Sequence, residues 1–374
     1  MRTRAILSAL VGAAALLLVG AQPALAGHHG GSGSVVFVQT NELGGNRIAV
    51  FDQGSDGRLT QAGSYPTGGL GGAALPGTES DHLASQGSLA YDAEHQLLIA
   101  VNAGSDTVST FHVKGDLLRL TGVIDSGGQF PASVAVHDRL VYVLNAGGTG
   151  SVQGYTIAGH RLVPIPGSAR SLGLANTNPP NFLTSPGQVG FTPDGSELLV
   201  TTKASTSSID VFQVGPDGLL SATPVANPSA TPVPFAFTFG AGGRLVAGEA
   251  GASSVTTYAL GSGGTLTDPK SAPDGQAALC WIERVGDVYF VSNTGSNDLS
   301  SFAVSANGQP TLLQAVAATT NAGPIDLASS GGYLYAETGI NGTVDEFQIG
   351  ANGTLTPIGT VAGLPPGLEG IAAS

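Results

Sequence analysis

A short run of carboxyl and imidazole side chains is the stretch of the sequence most suited to chemistry. The segment TESDH places Glu79, Asp81 and His82 within four positions. Such groups can act as general acids or bases, or bind a metal ion. We therefore take His82 as a candidate catalytic residue, and Glu79 and Asp81 as candidate substrate-binding residues. The competing interpretation is a solvated loop, because no second His lies nearby.

A second group of candidates follows apolar, alternating segments that have the pattern of strands. The residues at or next to this position are Asn102, Asn145, Lys203, Glu249, Asn293 and Glu337. An Asn side chain can shape the next turn through a hydrogen bond to the backbone, which competes with a substrate-binding role. A Glu cannot form that compact turn. We therefore predict catalytic roles for Glu249, Glu337 and Lys203, and substrate contacts for the three Asn side chains.

These candidates belong to a repeating unit that begins at an aromatic residue and continues into a Gly-rich turn. The aromatic positions are Phe51, Phe111, Tyr155, Phe212, Tyr258, Phe302 and Phe347. Their spacing is about 45 residues, with two longer intervals. Each unit contains four short segments separated by Gly- or Asn-containing turns, as expected of a four-stranded propeller blade. The sequence therefore predicts an all-β fold, a seven-bladed β-propeller of four-stranded blades.

The two ends of the repeat region predict how the ring closes. VVFVQT (35–40) matches the second strand of a unit, and GLEGIAAS (367–374) resembles a first strand. We expect the second segment to supply the inner strand of blade 1, because closure removes exposed sheet edges. The propeller should then be a single domain over residues 35–374.

The two long intervals predict the location of the functional site. Both lie in connections between blades, GGLGGAALPGTESDH (68–82) and GLANTNPPNFLTS (173–185). Connections between blades and loops after each second strand should share one end of the ring, which we call the top face. Long loops around a concave opening are the default location of a binding site.

The N-terminal residues have the pattern of an export signal. Arg2 and Arg4 precede an apolar run, and a small-residue segment ends at Ala26. This pattern predicts a signal peptide over residues 1–26 and a flexible Gly- and His-rich tail over residues 27–34. We expect a secreted, extracellular protein, or one loosely associated with the cell wall, with no membrane segment after cleavage. Cys280 is the only cysteine, so an internal disulfide is excluded.

The charge balance excludes one class of partner. The chain has 13 Lys and Arg against 26 Asp and Glu. Removal of Arg2 and Arg4 leaves 11 basic residues and a net charge of −15. Nucleic acids and anionic lipids bind clustered basic residues, so neither is an expected partner. We expect a monomer.

Several segments resemble a known family. They are SPGQVGFTPDGSELLVTTKASTSSIDVFQVGPDGLL (185–220), GSLAYDAEHQLLIAVNAGSDTVSTFHV (87–113), VYVLNAG and YFVSNTG. They are similar to the secreted β-propeller lactonases, related to 6-phosphogluconolactonase and carboxymuconate cyclase, which carry YVTN-type repeats. The resemblance covers essentially the whole chain after residue 26. It implies a lactone-directed activity on the top face.

The chain departs from this family at the positions expected to carry the chemistry. Where the family has a Pro-His-Pro-His segment, this sequence has Ala84, Ser85, Gln86 and Gly87. Where the family has Arg-His in blade 4, it has Gly187 and Gln188, and Lys203 or Ala204 stands near the position of the family's Glu. Gly and Gln cannot move protons as imidazole does. We keep Gln188 as a candidate substrate-binding residue.

Two functions from different classes therefore remain open. The first is a hydrolase or isomerase acting on a lactone or a related cyclic sugar-acid derivative, in which Lys203 stabilises the oxyanion and a Glu acts as the base. The second is a non-catalytic extracellular propeller that binds a glycan, a peptide or a protein. No cofactor is expected, the metal ligands are unknown, and calcium held by Asn and Glu is a minor alternative.

Overall fold

β-Strands form nearly all of the regular structure in the computed structural model, which describes residues 33–76 and 79–374. The helical elements of this part are two 3-10 turns, Ala241–Gly243 and Ala351–Gly353. The predicted signal peptide, residues 1–26, lies outside the described residues, as do residues 27–32 of the predicted tail. No helix of the described part is long and apolar enough to cross a membrane.

Most strands are joined by short connections, apart from the two long loops that end before Leu89 and Val189. Blades 1 and 2 contain β1 (Val35–Gln39), β2 (Arg47–Gln53), β3 (Leu59–Pro66), β4 (Leu89–Asp92), β5 (Leu97–Asn102), β6 (Thr107–Lys114) and β7 (Leu117–Asp125). Blades 3 and 4 contain β8 (Pro131–His137), β9 (Leu140–Asn145), β10 (Ser151–Ala158), β11 (Arg161–Pro164), β12 (Arg170–Ser171), β13 (Val189–Phe191), β14 (Glu197–Thr201), β15 (Ser208–Gln213) and β16 (Val225–Pro228). Blades 5 and 6 contain β17 (Pro234–Phe239), β18 (Leu245–Glu249), β19 (Ser254–Leu260), β20 (Leu266–Pro273), β21 (Leu279–Val285), β22 (Val288–Asn293), β23 (Asp298–Val304) and β24 (Pro310–Thr319). Blade 7 and the closing strand contain β25 (Pro324–Ser330), β26 (Tyr333–Thr338), β27 (Thr343–Ile349), β28 (Leu355–Val361) and β29 (Ile371–Ala373).

These strands form seven antiparallel sheets, and the predicted seven-bladed propeller is confirmed. The sheet of blade 1 has the order β29-β1-β2-β3, so the closing strand takes the inner position, as predicted. Its register pairs Val36 with Ala373 and Val38 with Ile371. Blade 1 is therefore built from two segments at opposite ends of the ring-forming chain.

Blade 3 departs from the four-stranded pattern. Its outer edge is divided between β11, which pairs with Tyr155–Ala158 of β10, and β12, which pairs with Ser151 and Val152. The intervening segment IPGSA contains Pro166 and follows Pro164, the last residue of β11, and a Pro cannot donate a backbone hydrogen bond to a neighbouring strand. The outer strand is interrupted for this reason, and the blade keeps its shape.

The core lies between the blades. In the described part, buried apolar side chains form seven clusters, and each cluster joins mainly two consecutive blades. The aromatic residue of every repeat is buried in one of them, with at most 3% of its surface exposed. The repeated aromatic residue therefore fills the space between one blade and the next.

The Gly-rich turns join consecutive blades through the backbone. In four of them the carbonyl of the turn glycine accepts a hydrogen bond from a side chain of the preceding blade. The pairs are Tyr335 with Gly57, Tyr142 with Gly218, Asn227 with Gly264 and Thr257 with Gly308. These glycines have positive φ, and a Cβ on Gly57 would lie 2.2 Å from the ring of Tyr333 in blade 7. The turn therefore needs Gly for its backbone conformation and for contact between blades.

The two long connections lie at the same end of the ring and contact each other. The backbone N–H of Leu75 donates to the carbonyl of Pro180 at 2.8 Å, and that of Phe182 donates to the carbonyl of Leu75 at 2.9 Å. Leu75 and Asn181 form a parallel bridge. The loops 67–88 and 172–188 therefore form one layer on the top face.

Replacing Gly57 by Ala tests the contact between blades. We expect Gly57→Ala to lower the free energy of unfolding by about 2–4 kcal/mol, because it adds overpacking against Tyr333 to backbone strain. Gly263 is the matched control, since it also has positive φ but a Cβ there would have no neighbour within 4 Å. Gly263→Ala should cost only about 1 kcal/mol. Equal losses in urea denaturation would contradict the packing role.

Candidate functional site

Loop 67–88 crosses the top of the central channel. A Cβ on Gly339 of blade 7 would lie 1.8 Å from the carbonyl oxygen of Ser80, so the loop backbone rests on that blade. Beyond this contact the chain enters the ring, where Asp81, Leu83 and Ala84 are buried. The acidic segment, for which a solvated loop was the competing interpretation, therefore extends into the channel, apart from Glu79, which stays exposed.

Lys203 lies just after β14 and points into the ring, where only 1% of its surface is exposed. Its backbone has a φ of 44°, a conformation that costs energy for a residue with a side chain. Its Nζ donates to the carbonyl oxygen of Ala84 at 2.5 Å. The same Nζ lies 5.4 Å from the centre of the Phe182 ring and 5.0 Å from that of Phe235, within cation–π range.

A cavity of about 200 Å³ opens beside this ammonium group. Its lining residues are Phe182, Leu183, Lys203, Val233, Phe235, Ala250, Gly251, Ala278 and Cys280. They come from loop 172–188 and from the tops of blades 4, 5 and 6. Lys203 is the one charged residue among them, so the cavity is an apolar chamber with a single cationic wall.

Bulges in two inner strands supply two of the wall residues. In β17 the register shifts between Pro234 and Phe237, and in β21 it shifts between Leu279 and Trp281. The residues inside these shifts include Phe235 and Cys280, both of which line the cavity. A bulge re-aims side chains by inserting an extra residue, and it is a frequent feature of functional sites.

Two carboxyl groups lie behind the lysine. The backbone N–H of Ala84 donates to Oδ1 of Asp81 at 2.6 Å, and the N–H of Leu83 donates to Oε2 of Glu369 at 2.6 Å. The two carboxyl groups also hydrogen-bond each other, with Glu369 as the proton donor. Burial and the charge of Asp81 raise the pKa of Glu369 well above its ordinary value. Asp81 therefore carries the negative charge that faces Lys203.

The lysine and its aspartate have altered acidities. Burial lowers the pKa of Lys203 to about 8, while the carboxylate of Asp81 partly opposes this change. Burial raises the pKa of Asp81, and Lys203 opposes that rise. The thiol of Cys280 has a pKa raised by burial, so it stays neutral. At neutral pH roughly one lysine in ten is an uncharged amine.

More carboxyl groups continue along the channel. Gly370 donates its N–H to Oε2 of Glu337 at 2.9 Å, while Leu327 donates to Oδ1 of Asp326 at 3.0 Å. Ser329 donates to Oε1 of Glu283 at 2.7 Å. Burial raises the pKa of Glu337 well above its ordinary value, and raises those of Asp326 and Glu283 to about 7. With Asp81 and Glu369 these groups form an acidic column, in which each member is electrostatically coupled to the next.

Side chains from opposite blades close the channel beside the cavity. The indole Nε1 of Trp281 in blade 6 donates to the carbonyl of Ser85 at the entry to blade 2, at 2.9 Å. The amide of Gln86 exchanges two hydrogen bonds of 3.0 Å with the backbone of Ile282. Ser85 and Gln86 occupy part of the segment where the resemblance implies histidines. In this chain they tie two non-adjacent blades together.

The predicted residues divide into two groups by location. Lys203 lines the cavity, and Asp81 lies behind it. Glu337 lies in the acidic column, where its Oε1 has no hydrogen-bond partner among the described residues. His82 is half-buried against Gly367, and burial lowers its pKa, which favours the neutral ring.

The other candidates are bonded within or between blades. Glu249 accepts hydrogen bonds from four hydroxyl groups, those of Ser229, Thr231, Thr256 and Tyr258. Asn102 bonds Asn46, Thr67, Thr107 and Ser109, Asn145 bonds the carbonyl of Ser126, and Asn293 bonds Asp298 and Ser300. Gln188 exchanges two hydrogen bonds with the backbone of Phe237. The structure does not bring these residues to the cavity.

Sequence reasoning missed several residues of this region. Glu369, Asp326 and Glu283 lie in or beside inner strands, and their signal was available as acidic residues in segments otherwise apolar, such as PIDLASS and LCWIERV. Phe182 and Phe235 gave no such signal, because an aromatic residue on a loop or strand is usually part of the core. Among the described residues, no group of three or more His, Cys, Asp or Glu side chains is arranged to hold a metal ion.

Comparison with solved structures supports the resemblance at the level of the fold. The periplasmic gluconolactonase of Pseudomonas aeruginosa is similar, with a TM-score of 0.70 and 18% identity over 90% of this chain and 99% of that chain. A putative 6-phosphogluconolactonase from Bacteroides fragilis gives 0.67 and 18%, over 93% and 100%. A protein from Lactobacillus plantarum gives 0.69 and 18%, over 91% and 99%. The chain thus has the fold of the lactonase-like propellers.

No protein-family model matches the sequence, and no curated protein matches it. At the identities of the solved structures, only the fold transfers. The chemistry has to be argued from the site of this chain.

The acidic column predicts an unusual dependence of stability on pH. Its members bind protons more tightly in the folded than in the unfolded chain. Their stabilising contribution is therefore complete below about pH 4 and is lost as the pH rises through about 7. We expect the free energy of unfolding to fall between pH 4.5 and 7.5.

Asp326→Asn isolates one member of the column. An amide oxygen can still accept from Leu327 but cannot ionise, so the fall between pH 4.5 and 7.5 should shrink by about 1–3 kcal/mol. Asp287→Asn, at an exposed turn, is the control and should leave the slope unchanged. Chemical denaturation at each pH measures both. A slope unaffected by Asp326→Asn would refute the ionisable role of the column.

Proposed function

We propose that this protein is a hydrolase of cyclic esters and that Lys203 acts in the cavity as the general base. The observation that carries the proposal is a lysine with a lowered pKa on the wall of an apolar cavity, with a carboxylate behind it. A base works best when its pKa lies near the working pH. The lactonase-like fold supports the choice of substrate class, as does the gluconolactonase activity for which the Pseudomonas aeruginosa relative is named.

The reaction needs only water and the protein side chains. The neutral amine of Lys203 takes a proton from water, whose oxygen adds to the ester carbonyl and forms a tetrahedral oxyanion. The oxyanion collapses, the ring C–O bond breaks, and the leaving alkoxide takes the proton back from the ammonium. The product is the open hydroxy acid. Asp81 acts as a positioning residue, because its charge stabilises the transient ammonium.

These roles differ from the initial expectation, in which Lys203 stabilised the oxyanion and a Glu was the base. The hydroxyl groups around Glu249 hold that carboxylate in blade 5, and Glu337 belongs to the acidic column. Neither lines the cavity. The proposal requires no cofactor.

We also propose an extracellular or periplasmic location. The basic and apolar N-terminal pattern of residues 1–26 supports export. One of the structural relatives is described as periplasmic, which agrees with this location. Detection of the protein in the medium or in the periplasmic fraction, with residues 1–26 removed, tests it.

Replacing the base tests the activity directly. We expect Lys203→Met to lower kcat/KM for a hydrolysed lactone by about 10²–10⁴-fold, the usual contribution of a general base. Lys114→Met, at an exposed strand end, is the matched control and should retain full activity. Circular dichroism shows whether both variants fold. Full activity in folded Lys203→Met would exclude Lys203 as the base.

The pH profile tests the pairing of Lys203 with Asp81. Because the base is the neutral amine, kcat/KM should rise with pH and level off above about 8. The Asp81 carboxylate favours the ammonium form, so Asp81→Asn should move the midpoint to lower pH. Initial rates from pH 5.5 to 9.5, corrected for hydrolysis by buffer, measure the midpoint. An unchanged midpoint would contradict the pairing.

The second candidate is a binding propeller without catalysis. It is favoured by the closed channel and by the single charged wall of the cavity, which suit retention of a ligand. This function predicts lactone binding that depends on Lys203 without any turnover above buffer.

A further inference from the structure

We propose that the substrate of this site is a small lactone with an aliphatic side chain, without hydroxyl or phosphate groups on its ring. The inference rests on the proposed function and concerns the same cavity. The walls supply the first argument. Phe182, Leu183, Val233 and Phe235 present hydrocarbon, and Lys203 alone presents a charge. Such walls stabilise a ligand in proportion to the apolar surface that it buries.

The backbone around the cavity has few groups left for a sugar. The N–H of Ala250 donates to the carbonyl of Val233 at 2.9 Å, and the N–H of Gly251 donates to the carbonyl of Pro232 at 3.1 Å. The carbonyls of Leu183 and Ala278 are likewise engaged by backbone N–H groups. A polyhydroxylated lactone would therefore bury hydroxyl groups without adequate partners. Each such group weakens binding.

The electrostatics oppose a phosphorylated substrate. Phosphate recognition normally uses several donors, often a bidentate Arg. Here the cavity offers one ammonium, and its charge is already opposed by the buried carboxylate of Asp81. The dianion would also approach a channel that contains further carboxyl groups. A neutral lactone brings no charge that needs compensation, and its ring and alkyl carbon atoms match the apolar walls.

The size of the cavity limits the ligand further. Its volume of about 200 Å³ lies below the range of about 300–1,000 Å³ that is typical of sites for drug-sized molecules. One small ring fits beside Lys203. Leu183 is 56% exposed at the edge of the cavity, so an alkyl chain that leaves the ring can lie against it. The ring and a short chain thus account for the available space.

The test is a comparison of six-membered lactones by initial rate. δ-Valerolactone, δ-hexalactone and δ-octalactone carry side chains of zero, one and three carbons. We expect kcat/KM to rise about fourfold for each buried methylene. Glucono-1,5-lactone and its 6-phosphate should be hydrolysed no faster than in buffer. Equal or faster hydrolysis of either sugar lactone would overturn the inference while leaving the hydrolase function intact.

A variant of the wall gives a second measurement. Val233→Thr keeps the side-chain shape and places a hydroxyl in the wall, so kcat/KM for δ-octalactone should fall about three- to tenfold. Val163→Thr is the matched control, because Val163 is 49% exposed on blade 3 and away from the cavity. An equal effect of both substitutions would count against the apolar wall as the specificity determinant.

Binding of an unreactive lactam separates failure of the inference from failure of the function. 6-Propyl-2-piperidinone has the shape of δ-octalactone but resists hydrolysis, and calorimetry measures its binding to wild type and to Lys203→Met. Binding that depends on Lys203, with no lactone hydrolysed, would refute the hydrolase and support the proposed ligand chemistry. If the alkyl compounds are neither bound nor hydrolysed, both proposals are overturned.

Discussion

The structure depends on contacts between neighbouring blades, which in four blades include a hydrogen bond to the Gly-rich turn from the blade before it. A propeller has no single central core, so its stability comes from the wedges between neighbouring sheets. The turn glycine brings its carbonyl within hydrogen-bonding distance of the preceding blade, as Gly57 does with Tyr335 at 2.8 Å. The repeated aromatic residue fills the same wedge from the third strand. Once these contacts set the angle between blades, seven units close the ring, and the channel follows from that closure.

The burial of ionisable groups in the channel determines the electrostatic properties of the site. It buries one ammonium group together with several carboxyl groups, and charges in such surroundings are costly. Protonation of Glu369 and Glu337 removes much of the cost, and the charge of Asp81 opposes that of Lys203. The part of the burial cost that Asp81 does not offset lowers the pKa of Lys203 to about 8. The burial that is costly for the fold is thus also the cause of the lowered pKa on which the proposed chemistry depends.

The sequence was a good guide to the ring and a partial guide to the site. Repeats, turns and aromatic spacing predicted seven blades and the closing strand, because each is a local pattern copied along the chain. Lys203 was identified because it is a charged residue next to the position where other repeats have Asn. Glu249 ends its strand and pairs with Pro234, whereas Thr338 holds that place in blade 7 and pairs with Pro324. Glu337 therefore lies one residue earlier, with its side chain on the other face of the sheet. Four nearby hydroxyl groups hold Glu249 on its own side. Such partners lie on neighbouring strands and crossovers, where no pattern along one segment shows them.

The residues that line the cavity could not be predicted from the sequence, for a related reason. Phe182 lies on a long loop and Phe235 in a strand bulge. Only closure of the propeller brings both phenyl groups to Lys203. Either residue alone has the pattern of ordinary core. Their shared function depends on positions set by other blades.

The hydrogen bond from Leu83 to Glu369 joins residues 286 positions apart. During synthesis the segment with Leu83 leaves the ribosome long before its partner exists, so the acid that neutralises this region arrives only with the segment that seals blade 1. Until then Lys203 and Asp81 lack the carboxyl group that packs behind them. The electrostatic surroundings of Lys203 are therefore complete only when the strand that is synthesised last has closed the ring.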